Sequence, residues 1–190
     1  MIRETIVTTQ GRDGRVHIAP IGLIVEGDGF VIAPFHPSRT LENLRENPHA
    51  VANYGDDVRV FAGCLTGRRD WPTRPAAQVP GAVLANALAH AELRVTRVTE
   101  EALRPRFHCA VVHEATHAPF RGFNRAQAAV VEAAILVSRL HMLPADKIDR
   151  EIAYLQIAID KTAGPNERQA WDWLIERIAA FRAAPSTPAQ

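Results

Sequence analysis

The sequence predicts an α+β protein in which a small antiparallel meander or barrel is followed by a helical part. Up to residue 36 the chain contains three short segments rich in β-branched residues, and glycine-containing turns join them. From Asn124 onward, apolar residues recur at helical spacing instead. We therefore expect a barrel domain over residues 1–122, a helical subdomain over 123–184 and a frayed tail over 185–190.

Three antiparallel strands are expected at the start of the chain, at Glu4–Thr9, Val16–Glu26 and Phe30–Phe35. Pro20 removes one ladder donor from the second strand, which places that strand at an edge or a bulge. Pro20 and Gly22 together mark a stretch where a flat ligand could approach bare backbone.

The middle of the chain is predicted to alternate between short helices and strands. Helices are expected at Thr40–Glu46, Asp56–Cys64 and Pro80–Ala89, strands at His49–Tyr54, Ala91–Thr99 and Phe107–Val112, and a proline-rich loop at Leu65–Gln78. Three further helices are expected at about Arg125–Met142, Ala145–Thr162 and Asn166–Ala183. The last two should form an antiparallel hairpin, because a short Gly-Pro break joins them.

A polar corner precedes the helix at Thr40–Glu46. Ser38 and Thr40 are residues that cap helices, and Arg39 between them is a permanent cation. The first turn of a helix also offers unpaired N–H groups and the positive end of the helix dipole. The sequence leaves two interpretations open: a residue of this corner caps the helix and nothing more, or the corner holds a phosphate.

Asn53 is a polar residue within the apolar strand at His49–Tyr54. A buried amide needs hydrogen-bond partners, because an unsatisfied polar group is costly to remove from water. We expect Asn53 either to bridge neighbouring strands or to contact a ligand, and the sequence leaves both open.

The charge pattern indicates no polymeric partner. The formal net charge is +1 and both signs are spread along the chain, so no nucleic-acid-binding stripe is expected. No apolar run approaches ~20 residues, so no membrane span is expected either. Cys64 and Cys109 lie in apolar surroundings without CxxC spacing, which favours buried thiols in a reducing compartment. The start of the chain resembles no signal peptide, and we expect a cytoplasmic protein.

The segment His113-Glu114-Ala115-Thr116-His117 matches the HExxH pattern of zinc proteases. That pattern requires a helix, on which both histidines bind zinc and the glutamate activates a water molecule. The local sequence favours a strand, because Phe107–Val112 is β-rich and Pro119 follows closely. Residues four apart on a strand lie ~13 Å from each other, too far for one metal ion. We therefore expect no metal site, and a zinc hydrolase is a minor alternative.

Three pieces of sequence, in order along the chain, resemble the FMN-binding split-barrel flavoproteins. They are Ala19-Pro20-Ile21-Gly22, then Ser38-Arg39-Thr40 with Asn43, then Asn53. More closely, the Ala-Pro-Ile-Gly element and two further pieces are similar to the family called domain of unknown function 447, and this likeness covers most of the chain. They are Glu4–Thr9, and Phe123-Asn124-Arg125-Ala126 followed by a helix through Val130–Ala133. The resemblance implies an FMN-binding split β-barrel, which is a Greek-key-like antiparallel barrel, with a C-terminal helical subdomain.

The resemblance also implies where FMN is held. Ser38, Arg39 and Thr40 would contact the phosphate, and Asn43 would support the turn. Ala19, Pro20, Ile21 and Gly22 would offer backbone to the flavin ring, and Asn53 would reach its polar edge or the ribityl chain. Asn124 and Arg125 open a helix, so they could form a second anion clamp, across a dimer interface.

In function, the resemblance implies a homodimeric flavin-dependent oxidoreductase or electron-transfer protein with the cofactor at the subunit interface. The gene neighbourhoods of the family suggest a link to tetrahydromethanopterin-dependent one-carbon metabolism. A non-catalytic flavin or pterin binding protein of the same fold is the alternative. No catalytic residue is assigned, although His36 beside the polar corner is of a residue type that can act as an acid or a base.

Overall fold

In the computed structural model, which describes residues 1–184, the chain forms two compact units. The barrel unit comprises Met1–Asp56 and Asp70–Phe120. The helical unit comprises Asp57–Arg69 and the chain from Arg121 onward. The expected domain bounds, 1–122 and 123–184, stay a prediction, and the sequence analysis did not expect Asp57–Arg69 to belong to the helical unit. The expected tail at 185–190 lies outside the described residues.

The barrel unit contains eight strands and one helix. In chain order they are β1 (Ile2–Gln10), β2 (Val16–Glu26), β3 (Gly29–Ile32), α1 (Arg39–Glu46), β4 (His49–Tyr54), β5 (Thr73–Pro75), β6 (Ala82–Leu84), β7 (Ala89–Thr99) and β8 (Arg106–Thr116). Six strands form a closed antiparallel barrel in the order β1-β2-β3-β8-β7-β4. Strands β5 and β6 form a separate two-stranded sheet.

The barrel is paired incompletely between β2 and β8. Strand β2 pairs with β1 from Val16 to Ile24, but with β3 only from Ile24 to Glu26. Strand β8 pairs with β3 only over Phe107–Cys109 and continues beyond that point alongside β7. Within residues 1–184, the first part of β2 and the last part of β8 therefore each have one edge without a strand partner. The expected edge position of Pro20 is confirmed.

The two faces of the barrel strands have different surroundings. Alternate side chains, such as Val7, Leu23 and Leu93, fill the barrel interior. The opposite face of β1, β4 and β7 is covered by the segment that carries β5 and β6. Thr8 Oγ1 on β1 donates a hydrogen bond to the Ala82 carbonyl, and the Leu84 N–H donates to Asn53 Oδ1 at 2.8 Å.

The helix expected at Pro80–Ala89 is wrong. Alanine-rich composition favours a helix, but propensity is a weak prior that tertiary contacts override. Here Ala82–Leu84 pairs with Thr73–Pro75 and is held against the outer face of the barrel. The third strand is also shorter than expected, because it ends at Ile32 and the Ala33 carbonyl accepts two hydrogen bonds from the Arg104 guanidinium.

The helical unit consists of four helices around one apolar core. They are α2 (Arg59–Leu65), α3 (Arg125–Ser138), α4 (Ala145–Thr162) and α5 (Pro165–Ala183). Ala62 from α2 packs with Ala133, Trp171 and Leu174 in this core, which explains why Asp57–Arg69 belongs to this unit. The three C-terminal helices confirm the expected spans to within a few residues. None of the helices in residues 1–184 is both long and apolar enough to cross a membrane.

Candidate functional site

The stretch from Ala19 to Gly22 lies in the part of β2 that has an open edge. All four residues, Ala19, Pro20, Ile21 and Gly22, are partly exposed. A Cβ atom at Gly22 would lie 2.9 Å from Ile2 Cγ2 and 3.2 Å from Glu4 Oε1, so glycine lets the side chains of β1 pack closely over β2. The structure thus provides a strand edge with exposed backbone, as a flat ligand requires.

The polar corner caps α1, as one of the two interpretations states. Ser38 is the N-cap residue, and its Oγ accepts a hydrogen bond from the Leu41 N–H at 3.3 Å. Arg39 pairs with Asp13 at 3.1 Å and with Glu42 at 3.3 Å. All three of these charged side chains are substantially exposed, so both pairs contribute little and the guanidinium can exchange them for an anion.

Thr40 and Asn43 are buried behind this corner. Asn43 Nδ2 donates to Thr9 Oγ1 at 3.1 Å, but Asn43 Oδ1 is a buried atom without a hydrogen-bond partner in the described part of the chain. This oxygen lies beside Gly11, where a Cβ would approach it to 2.9 Å. A hydroxyl group could satisfy it and a deprotonated phosphate could not, because a carbonyl oxygen is an acceptor. Asn43 is 0% exposed, so it supports the corner from behind rather than facing an open site.

The corner at the start of α1 contacts the hairpin β1–β2, which carries the open strand edge. Thr9, the hydrogen-bond partner of Asn43, pairs with His17 on β2. From His17 to Ala19 and Gly22 the strand advances about 7 to 17 Å. A ligand with an anionic end and a flat ring can therefore be matched to the corner of α1 and to the open edge of β2.

His36 lies next to the corner, as expected from the sequence. It lines a cavity of about 340 Å³ together with Ser38, Leu41 and Arg45. The cavity places a titratable group beside the helix N-terminus, but no contact assigns His36 a catalytic role.

Asn53 bridges neighbouring strands, which is one of the two interpretations that the sequence leaves open. Its Nδ2 donates to the Ile6 carbonyl at 3.1 Å and to the Val51 carbonyl at 3.2 Å. Its Oδ1 accepts from the Leu84 N–H at 2.8 Å, and only 2% of the residue is exposed. The amide joins β1, β4 and β6, and both of its polar atoms are hydrogen-bonded to backbone groups, so bridging accounts for Asn53 and a contact with the flavin stays a prediction.

Asn124 and Arg125 lie in the helical unit. Asn124 is the N-cap of α3: its Oδ1 accepts from the Ala126 N–H at 2.7 Å, and its Nδ2 donates to the Thr162 carbonyl at 3.0 Å. Arg125 is exposed and has no ion pair in the described residues. Capping therefore accounts for Asn124, whereas an anion contact from Arg125 stays a prediction.

A cluster that the sequence analysis missed lies on the outer face of the barrel. His90 and Glu92 alternate along β7, and Glu92 pairs directly with His113 on β8. One potential ligand atom from each of these three residues lies within 4.8 Å of the others. His117, just beyond the end of β8, has its Nε2 2.8 Å from His90 Nδ1 and 2.6 Å from Arg74 Nη2.

The HExxH segment lies on a strand, as expected, because His113 and Glu114 belong to β8. The interpretation of this segment as a zinc-protease helix is therefore wrong. The sequence signal for the cluster was the alternating His90-Ala91-Glu92, which places two potential ligands on one face of a strand. Its partner could not be identified without the register of β7 and β8, which contains irregularities.

Glu92 is completely buried and accepts hydrogen bonds from three consecutive backbone N–H groups. Those of Ala77, Gln78 and Val79 donate at 2.6, 2.7 and 2.9 Å. Burial acts to raise the pKa of Glu92, but these donors and His90 outweigh it, and the pKa is lowered. The pKa of His117 is also lowered, by burial first and then by the charges of Arg74 and His90.

Comparison with protein families gives two adjacent matches. Residues 3–118 match the N-terminal domain of a protein of unknown function (DUF447). Residues 124–176 match a second family model, which is described as a protein of unknown function (DUF447). Among curated proteins none matches this chain.

Solved structures share the fold. An FMN-bound DUF447 protein from Methanosarcina mazei is similar with a TM-score of 0.81 and 20% identity, over 93% of this chain and 94% of that one. The 2-nitrobenzoate 2-nitroreductase of Pseudomonas fluorescens has a TM-score of 0.51 and 20% identity, over 60% of this chain and 64% of that one. An FMN-binding protein from Thermus thermophilus has a TM-score of 0.51 and 16% identity, over 61% and 71%. These likenesses confirm the expected split barrel with a C-terminal helical part.

Proposed function

We propose that this chain, which belongs to the DUF447 family, is an FMN-binding flavoprotein. The observation that carries the proposal is the hairpin β1–β2, which contacts the polar N-terminus of α1 and has a strand edge with partly exposed residues. The Methanosarcina mazei protein of the same family and fold has FMN bound. FMN has an anionic end and a flat ring, and the corner of α1 and the open edge of β2 can accommodate these two parts.

Each part of the cofactor has candidate partners in the chain. Ser38 and Arg39 would hold the phosphate, with the N–H groups of the first turn of α1 as further donors. Thr40 lies buried beside them as support. Asn43, which is completely buried behind the corner, would support the turn through its hydrogen bond to Thr9.

The flavin ring would lie along Ala19–Gly22. Bound FMN would accept hydride or electrons, while the protein binds and orients the ring. We therefore propose a flavin-dependent oxidoreductase or electron-transfer protein. Support for the redox role comes from proteins of the same fold, which include a nitroreductase and an NADH:FAD oxidoreductase from Streptomyces globisporus.

A non-catalytic flavin or pterin binding protein would have the same binding residues. The two functions are separated by anaerobic reduction of the yellow protein with NADH or NADPH, followed by absorbance. Bleaching of the flavin bands supports an oxidoreductase, whereas a flavin that neither cofactor reduces supports storage or sensing. The link to tetrahydromethanopterin stays a prediction, which competition between a reduced pterin and FMN for the purified protein would test.

We also propose that the protein is a homodimer. Helix α4 leaves Tyr154 and Ile157 exposed one helical turn apart, at 75% and 47%, and exposed apolar side chains on one face favour association. Light scattering coupled to size exclusion tests this proposal. A particle of twice the chain mass supports it, and a particle of one chain mass at micromolar concentration contradicts it.

A further inference from the structure

We propose that His90, Glu92 and His113 bind a divalent transition-metal ion, with Zn²⁺ as the best match, on the outer face of the barrel. Two imidazoles and one carboxylate are a ligand set that zinc enzymes use. The site is separate from the hairpin β1–β2, and the proposal does not depend on a flavin.

The three residues are brought together by the register of the sheet. His90 and Glu92 are two residues apart on β7 and so share a face, and His113 is the direct cross-strand neighbour of Glu92. Their potential ligand atoms lie within 4.8 Å of one another, so small side-chain movements bring all three to the ~2 Å that zinc ligands require. His90 and Glu92 are buried, whereas His113 is partly exposed and gives an ion access from solvent.

The hydrogen bonds around His90 determine which of its nitrogens carries a proton. The Arg74 guanidinium can only donate, so His117 Nε2, at 2.6 Å from Arg74 Nη2, must be an acceptor. His90 Nδ1 lies 2.8 Å from the same His117 Nε2, and it must therefore donate its hydrogen to that atom. In a neutral imidazole, His90 Nε2 is then left with a lone pair.

That lone pair faces the Glu92 carboxylate. His90 Nε2 lies 3.2 Å from Glu92 Oε1, and three backbone N–H groups fix both carboxylate oxygens in place. Two acceptors at this distance repel each other unless a cation lies between them, either a second proton on His90 or a metal ion. A proton would need only His90 and Glu92, whereas a metal ion also accounts for His113 as a third donor.

The surroundings of the site match those of known metal centres. A metal-bound histidine usually donates its second ring N–H to an acceptor that fixes the ring, and His117 is that acceptor for His90. Glu92 is likewise fixed by backbone donors. The positive charge of Arg74 would repel a bound cation, but the Arg74 side chain is exposed and solvent screens its charge. Of the HExxH residues, only His113 is a ligand of this site. His117 positions His90 instead of binding the metal ion, and Glu114 takes no part.

Zinc content and affinity test the proposal on the full-length chain without a histidine tag. The protein is dialysed against a chelator and then against buffer, and it is titrated with Zn²⁺ by calorimetry. We expect one ion per chain. His113→Ala should weaken binding by about 100-fold or more, and His117→Ala, which removes the acceptor for His90, by about 10- to 100-fold.

Glu92→Gln separates this site from an HExxH site, because that motif does not use Glu92. It should abolish stoichiometric zinc binding, and circular dichroism verifies that the variant is folded. Glu114→Gln and His141→Ala are matched controls with exposed side chains, and both should bind zinc as the wild type does. Absence of a stoichiometric site in the wild type, or full affinity in His113→Ala, overturns the proposal.

Discussion

Asn53 shows how one buried amide holds several strands together. It bonds to backbone groups of β1, β4 and β6, so its removal leaves the Leu84 N–H without its acceptor in a buried place. Asn53→Ala should lower the free energy of unfolding by about 1–3 kcal/mol. Urea denaturation of the wild type and the variant measures this difference. Unchanged stability together with loss of flavin binding would indicate that Asn53 contacts the ligand instead.

Arg39 is the charged residue on which the phosphate assignment depends. A charge-assisted hydrogen bond contributes about 1.5–3 kcal/mol, but Arg39 gives up its contacts with Asp13 and Glu42 to form one. Arg39→Ala should therefore weaken FMN binding by about 10-fold, the lower end of that range. Arg39→Ala with Thr40→Ala should release FMN while leaving the fold intact.

Fluorescence titration of flavin-free protein with FMN measures these affinities. Arg12→Ala is the matched control, because Arg12 is an exposed arginine in the β1–β2 turn and, within residues 1–184, forms no ion pair with Asp13 or Glu42. It should bind FMN as the wild type does. Equal affinity of Arg39→Ala and the wild type would remove Arg39 from the phosphate site.

At the scale of elements, Glu92 fastens the segment between β5 and β6 to β7. Its carboxylate accepts three backbone N–H groups, and its pKa is lowered. A group with a lowered pKa stabilises the fold at pH values above its unfolded-state pKa, about 4.3 for glutamate, and loses that contribution as the pH falls through its folded-state pKa. The difference in unfolding free energy between the wild type and Glu92→Gln should thus be largest near neutral pH.

Denaturation in chelator-containing buffer at several pH values measures this contribution without any metal effect. We expect Glu92→Gln to cost at least about 2 kcal/mol near pH 7, because it places an amide donor against buried N–H groups. The cost should shrink below about pH 4. A cost that is independent of pH would show that the charge of Glu92 is not what secures the segment.

Elements differed in how far their sequences determined them. Helices α3 to α5 were predicted closely, because each has a long apolar repeat and a proline or glycine boundary. The helix expected at Pro80–Ala89 was wrong, because contacts of Ala82 and Leu84 with distant strands overrode local propensity. The His90–Glu92–His113 cluster was not predicted for a similar reason. It depends on the register between β7 and β8, and the local sequence does not determine that register.

At the scale of the whole molecule, each unit contains one buried thiol. Cys109 lies in the barrel unit and Cys64 in the helical unit. Burial raises the pKa of Cys109 to about 12 and that of Cys64 to about 11. Because the thiolate is the reactive form, neither thiol of the folded protein should react at pH 8 with a disulfide reagent, and both should react in denaturant.

The same reaction reports on the two units separately. Cys109→Ser leaves only the thiol of the helical unit, and Cys64→Ser leaves only that of the barrel unit. Labelling at increasing denaturant should show each thiol becoming reactive as its own unit unfolds. Fast labelling of either thiol in native buffer would contradict the burial described for that unit.

The central claim is that the barrel unit binds FMN through the hairpin β1–β2. The most direct measurement is the absorption spectrum of the purified full-length protein, followed by titration of the flavin-free protein with FMN. We predict flavin absorption bands on purification and saturation at one FMN per chain, with affinity reduced in Arg39→Ala and unchanged in Arg12→Ala. A colourless protein that does not bind added FMN would contradict it.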